Sequence, residues 1–93
     1  MEHRPTLQFY RRAGCHLCDD GRAALAAVLE ERAASGLATP RVQEIDIDGD
    51  LEAQRRHVAT IPVISLDGRE LPLAMSARAI RRFLADALDA AIA

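Results

Sequence analysis

Two cysteines, the only two in this 93-residue chain, lie three residues apart at Cys15 and Cys18 in the segment "GCHLCDD". Residues three apart on a helix share one face, so these sulfurs can approach closely enough to form a disulfide. The unpaired N–H groups of a helix start favour a thiolate, which is the attacking species in thiol–disulfide exchange. The spacing therefore predicts a redox pair in which Cys15 attacks a substrate disulfide and Cys18 resolves the mixed disulfide.

Charged side chains near the pair act in opposite directions. Arg12, three residues earlier, and His16, between the cysteines, could stabilise a thiolate at Cys15, but each could equally be a solvated surface residue. Asp19 and Asp20 disfavour a further negative charge and are interpreted as helix-start residues that suit the helix dipole. The sequence does not decide the sum of these effects, so it predicts no unusual acidity for Cys15.

Two other interpretations of the pair remain open. A structural zinc site needs four ligands at suitable spacing, and this chain adds only His3, His16 and His57, which are scattered. A metal site within one chain is therefore not expected, although two chains could share a metal or cluster through one cysteine each. The cysteines could also be inert residues of a helix.

Length and composition are those of one globular domain spanning residues 1–93, with 49% hydrophobic and 28% charged residues. A formal charge of −2 offers no reason to expect nucleic acid or an anionic membrane as partner. The chain has no apolar run of about 18 residues and no apolar signal region near its start. We therefore expect a cytoplasmic protein, in which a close cysteine pair is more often catalytic, redox-sensing or metal-binding than structural.

Hydrophobic patterns and turn residues predict the element order β-α-β-α-β-β-α. Strands are expected over 6–12, 41–48, 61–66 and 69–73, and helices over 17–35, 51–58 and from Ser76 onwards, with the apolar period of the last helix reaching Ala91. Both strand–helix–strand units favour parallel pairing, and Asp67-Gly68 is typical of an antiparallel hairpin. The predicted fold is α/β: a four-stranded mixed sheet with helices on both faces.

The segment "FYRRAGCHLC" before a helix, "TIPVI" at 60–64 and the terminal hairpin and helix resemble the thioredoxin superfamily, and within it small glutaredoxin-like proteins. The resemblance covers nearly the whole chain. It implies a cis Pro62 beside the cysteine pair, where sequence alone would allow an ordinary strand-start proline. It also implies a substrate-binding set of Arg12, His16, Thr60, Ile61 and Pro62, in which the backbone of Ile61 pairs with an extended substrate.

Departures from the two main branches are visible at named positions. Gly14 and Phe9 stand where thioredoxins resemble one another in a Trp and a buried Asp, and Leu17 stands where glutaredoxins have Tyr or Phe. The segment "LPLAMSARAI" lacks the paired glycines and the acidic residue of a glutaredoxin glutathione site. The chain is more similar to a bacterial glutaredoxin-like group, and weak glutathione binding is expected.

These likenesses imply a thiol–disulfide oxidoreductase or electron carrier with no tightly bound cofactor and with glutathione as a weakly bound co-substrate. Its expected substrates are protein or low-molecular-weight disulfides, and its expected reductant is glutathione or a thioredoxin-reductase-type enzyme. No nucleic acid or membrane partner is expected. The protein is expected to be a monomer. The alternative function is a non-catalytic binding module or redox sensor of the same fold. Such a module would use the groove near Pro62 and could hold a metal or cluster as a dimer.

Overall fold

The computed structural model describes residues 4–89 and contains one four-stranded mixed sheet with three α-helices. The strands are β1 (Thr6–Arg11), β2 (Arg41–Asp46), β3 (Val63–Leu66) and β4 (Arg69–Leu71); the helices are α1 (His16–Ala34), α2 (Leu51–His57) and α3 (Ala77–Leu88), with a 3-10 turn at Ile47–Gly49. The predicted order of strands and helices is confirmed, while the predicted period at Ala91 lies outside the described residues. No helix within residues 4–89 has both the length and the apolar character that crossing a membrane requires.

The sheet order is β2-β1-β3-β4, and one predicted pairing is wrong. β1 and β2 are parallel as expected, but β3 runs antiparallel to β1, with Phe9 opposite Ile64. If β3 were parallel to β2, the connection between them would have to run back along the whole length of β2. Six residues of strand are about 20 Å long. The seven-residue α2 spans only about 10 Å. β3 therefore starts level with the last residues of β2 and runs in the opposite direction.

The β3–β4 hairpin is closed by the predicted Asp-Gly turn. Both Asp67 and Gly68 have positive φ, at 51° and 81°. This is the backbone of the two-residue turns whose twist matches that of paired strands. The hairpin places β4 at the edge of the sheet, and the chain then returns through residues 72–76 to α3.

The hydrophobic core lies between one face of the sheet and the pair α1 and α3. Side chains that alternate along β1 and β3 meet one stripe of each helix there: Leu7, Phe9, Ile64, Leu66, Leu25, Val28, Ile80 and Leu84 are all buried. On the opposite face, the Tyr10 ring packs on His57 of α2, with ring centroids 4.3 Å apart. Helices therefore cover both faces of the sheet, as predicted.

An arginine closes the core at the end of α1 farthest from the cysteines. Arg32 is buried, and its guanidinium donates to both carboxylate oxygens of Asp89 at 2.7 and 3.2 Å and to the carbonyl of Ala38 at 2.7 Å. The hydrogen bonds from Arg32 hold the pKa of Asp89 below its usual value. The arginine stem thus extends the apolar stripe of α1, while its charge is paired with a carboxylate at the end of α3.

Candidate functional site

The cysteine pair lies at the start of α1, directly after β1. Gly14 has a φ of +74°, a left-handed backbone that glycine adopts without strain, and it turns the chain from the sheet into the helix. Cys15 is the N-cap residue, and its Sγ accepts a hydrogen bond from the N–H of Cys18 at 3.1 Å. The two sulfurs are at disulfide distance, and the Cα atoms are 5.2 Å apart, within the usual range for a disulfide. Cys15 thus caps the helix, and Cys18 lies in its first turn.

The two sulfur-bearing residues differ in exposure. Cys18 is 1% exposed and packs in the interior, whereas Cys15 is only partly buried. His16 and Leu17, between them, are both exposed. A reagent or a substrate therefore approaches the pair from the side of Cys15.

The segment before β3 has the predicted cis peptide bond between Ile61 and Pro62. The residues on either side of Ile61 are tied to the loop before α3: the carbonyl of Thr60 accepts from the N–H of Leu73 at 2.9 Å, and the carbonyl of Pro62 accepts from the N–H of Ala74 at 2.7 Å. Neither the N–H nor the carbonyl of Ile61 hydrogen-bonds to another backbone group within residues 4–89. The backbone of Ile61 is thus the one left for a partner in this segment.

A glycine in α1 brings this segment close to the helix that carries the cysteines. Gly21, one turn after Cys18, is buried, and a Cβ built on it would lie 2.5 Å from the carbonyl oxygen of Ala74 and 2.9 Å from Cγ of Pro62. Only glycine permits so close an approach. Sequence analysis missed Gly21, although a glycine inside a helix is costly enough to indicate a packing requirement.

Arg12 is engaged by a carboxylate that sequence analysis also missed. Its Nε lies 3.1 and 3.2 Å from the two oxygens of Asp48, and a terminal nitrogen lies 2.8 Å from one of them. These hydrogen bonds hold the pKa of Asp48 below its usual value and raise that of Arg12. Arg12 is thus hydrogen-bonded to Asp48, and its role beside the sulfur of Cys15 stays a prediction.

The first acidic residue after the pair is compensated as well. Arg22 donates to Asp19 at 3.1 Å and to both oxygens of Glu44 on β2, at 2.9 and 3.0 Å. The hydrogen bonds from Arg22 lower the pKa of Glu44. Two of the charged residues that flank the cysteine pair in sequence, Arg12 and Asp19, are thus each paired with an opposite charge.

Ligands for a metal are not gathered in the described part of the chain. No group of three or more His, Cys, Asp or Glu side chains within residues 4–89 is arranged to hold a metal ion. His57 is the last residue of α2 and is buried against Tyr10, whereas His16 is the first residue of α1 and is exposed.

Known families and structures match the chain over nearly its whole length. Residues 6–93 match the family model described as Glutaredoxin-like domain (DUF836). An X-ray structure of a structural-genomics target protein from X. campestris is similar with 32% identity and a TM-score of 0.70, covering 87% of this chain and 97% of that one. A solution NMR structure of a protein from Nitrosomonas europaea, at 22% identity and a TM-score of 0.65 over 100% and 96% of the two chains, shares the fold. No curated protein matches the chain.

Proposed function

This chain belongs to the family of glutaredoxin-like domains, and we propose that it is a thiol–disulfide oxidoreductase or electron carrier that works through Cys15 and Cys18. One observation carries the proposal: partly exposed Cys15, at the start of α1, has its sulfur at disulfide distance from the sulfur of buried Cys18. An accessible sulfur at a helix start, backed by a second that solvent does not reach, is the arrangement a two-step exchange requires.

The exchange transfers two electrons from the dithiol to a substrate disulfide. The Cys15 thiolate attacks one substrate sulfur, the substrate S–S bond breaks, and the released thiolate takes up a proton. Cys18 then loses its proton and attacks the sulfur of Cys15, which releases the second substrate thiol and forms the Cys15–Cys18 disulfide. The N–H of Cys18 that donates to the sulfur of Cys15 supports the negative charge in the first step, together with the start of α1.

The segment 60–62 supports binding of an extended substrate. The hydrogen bonds from Leu73 and Ala74 engage the carbonyls of Thr60 and Pro62, so the N–H and carbonyl of Ile61 are left to pair with a substrate backbone, like an added strand. Pro62 contacts α1 at Gly21, which keeps this segment next to the helix that bears the cysteines. Ile61 is therefore the backbone contact that we assign to the substrate, with Thr60 and Pro62 holding it.

Glutathione is a weak co-substrate in this proposal. The N–H groups of Leu73, Ala74 and Met75 donate to the carbonyls of Thr60, Pro62 and Leu73, so these three donors are not available to a γ-glutamyl group. The N–H of Ser76 and those at the start of α3 remain as an anion site. Arg12 is engaged by Asp48. The loss of two charge-assisted hydrogen bonds, each worth roughly 1.5–3 kcal/mol, weakens binding by at least about a hundredfold.

The substrates we propose are protein or small-molecule disulfides in the cytoplasm, and the reductant is glutathione or an enzyme of the thioredoxin-reductase type. The protein acts as a monomer and holds no tightly bound cofactor, because the exchange needs only the two thiols and a reductant. His16 borders the path to Cys15 and belongs to the substrate-binding set.

Single-turnover exchange tests the proposal. The reduced protein should reduce a peptide disulfide and end as the intrachain disulfide, with one chain two hydrogens lighter by mass spectrometry. Cys15→Ser should abolish the reaction, and Cys18→Ser should stop at a trapped mixed disulfide on Cys15. A wild-type protein that binds such peptides without exchange would instead indicate a binding module, and exchange that survives Cys15→Ser would refute the assigned nucleophile.

A further inference from the structure

Leu73 has a backbone conformation that does not suit leucine. Its φ is +52°, in the left-handed region, where the Cβ of an L-residue is crowded. The other described non-glycine residue with positive φ is Asp67, in the hairpin turn, and aspartate tolerates this conformation because its side chain can bond locally. Leucine has no such compensation, so its presence at position 73 needs another explanation.

The surroundings impose the backbone but do not require the side chain. The N–H of Leu73 donates to Thr60, the next N–H donates to Pro62, and Ala74 is fully buried against α1. These contacts would hold a glycine in the same conformation with less strain. The Leu73 side chain is 48% exposed, so its burial within the domain offsets little of that strain.

A second exposed leucine lies between the two cysteines. Leu17 is 47% exposed in the first turn of α1. Leu73 is hydrogen-bonded to the residue before Ile61, the residue whose backbone remains available to a substrate. The two leucines thus belong to the two segments that we assign to the substrate path. Arg12 and Asp19, which flank the cysteine pair in sequence, are both paired within the protein.

We propose that Leu73 is a specificity-determining substrate contact, which selects disulfides whose cysteine lies in an apolar peptide segment over small polar disulfides. The proposal rests on the exchange activity proposed above. An apolar residue beside the substrate cysteine would cover Leu73 in the mixed disulfide with Cys15. A substrate with polar neighbours would leave the leucine in water and gain nothing from it.

Two peptide disulfides test this selection. The probes are symmetric disulfides of short peptides, one with leucines on both sides of its cysteine and one with serines there. Leu73→Ala keeps the backbone strain and shortens the side chain, while Leu73→Gly removes both. Each variant should lower the exchange rate with the leucine-flanked probe about tenfold relative to wild type, which is the effect of losing one buried leucine. The rate with the serine-flanked probe should stay within about twofold of the wild-type rate. Leu73→Met should keep the wild-type ratio of the two rates.

A matched control is Leu37→Ala. Leu37 is equally exposed, at 47%, but follows the far end of the 19-residue α1, about 28 Å from its start, so this variant should change neither rate. In urea denaturation, Leu73→Gly should be more stable than Leu73→Ala, because only glycine relieves the strain. Equal losses with both probes, an unchanged ratio of rates, or a Leu73→Gly variant less stable than Leu73→Ala would overturn the proposal. If the wild type exchanges with neither probe, the proposed function itself fails.

Discussion

Replacing Gly21 by alanine perturbs the contact that joins α1 to the segment of Pro62. The added Cβ would lie 2.5 Å from the carbonyl oxygen of Ala74 and 2.9 Å from Cγ of Pro62, and real Cβ atoms do not approach so closely. Neither neighbour is the end of a flexible side chain. Ala74 is buried and its N–H is bonded to the Pro62 carbonyl at 2.7 Å, so both must move together.

The energetic terms for Gly21→Ala have opposite signs. Alanine in place of a helical glycine contributes about 1 kcal/mol of stability through helix propensity. Forcing a methyl group into a packed site costs typically 1–3 kcal/mol, and the upper end applies here because backbone must shift. We expect a net loss of about 1–2 kcal/mol in the free energy of unfolding, and a lower exchange rate because residues 60–62 move away from the start of α1.

Urea denaturation and single-turnover exchange measure the two effects of Gly21→Ala separately. The control is Gly49→Ala, because Gly49 has no atom within 4 Å of its added Cβ and no positive φ. That control should gain about 0.4–1 kcal/mol of stability and keep the wild-type exchange rate. A Gly21→Ala protein as stable as wild type, with an unchanged exchange rate, would refute the idea that this close approach positions the Pro62 segment.

Two ion pairs yield further predictions. Hydrogen bonds from Arg12 lower the pKa of Asp48, so the pair's contribution to stability is complete above the ordinary carboxylate pKa and is lost as the pH falls through the lowered pKa. In Arg12→Gln, an NMR titration should find the pKa of Asp48 higher than in the wild type. An unchanged pKa would contradict the pairing. Asp89→Ala leaves the buried guanidinium of Arg32 without its carboxylate and should cost about 2 kcal/mol in urea denaturation, less than in a fully buried pair because the Asp89 side chain is 34% exposed. The exposed control Glu31→Ala should cost clearly less than Asp89→Ala, because solvent screens the pair of Glu31 with Arg81. Equal losses in the two variants would show that burial of the arginine does not matter.

Features that depend on neighbouring residues could be predicted from the sequence. The spacing of Cys15 and Cys18 at a helix start, the Asp67-Gly68 hairpin and the apolar period of α3 each follow from local backbone geometry. The cis peptide bond before Pro62 was predicted from the family resemblance, because an Ile-Pro bond judged from sequence alone favours the trans form.

Features that depend on distant residues could not. The pairing of Arg12 with Asp48 joins positions 36 apart, and nothing in the local pattern of either segment indicates the other. The direction of β3 depends on the distance that α2 spans relative to the length of β2, and the hydrophobic pattern of α2 does not reveal that relation. The strain at Leu73 arises from hydrogen bonds to the Pro62 segment, so it becomes visible only in the folded chain.

A redox titration of the Cys15–Cys18 couple tests the central claim most directly. The protein would be equilibrated with thiol–disulfide buffers of graded potential, quenched with an alkylating reagent and analysed by mass spectrometry. We predict a reversible two-electron transition within single chains, at a potential in the range of exchange-active proteins, roughly −270 to −120 mV. A pair that stays reduced throughout, that bridges chains only, or that titrates below about −300 mV, as structural disulfides do, would contradict a role in exchange.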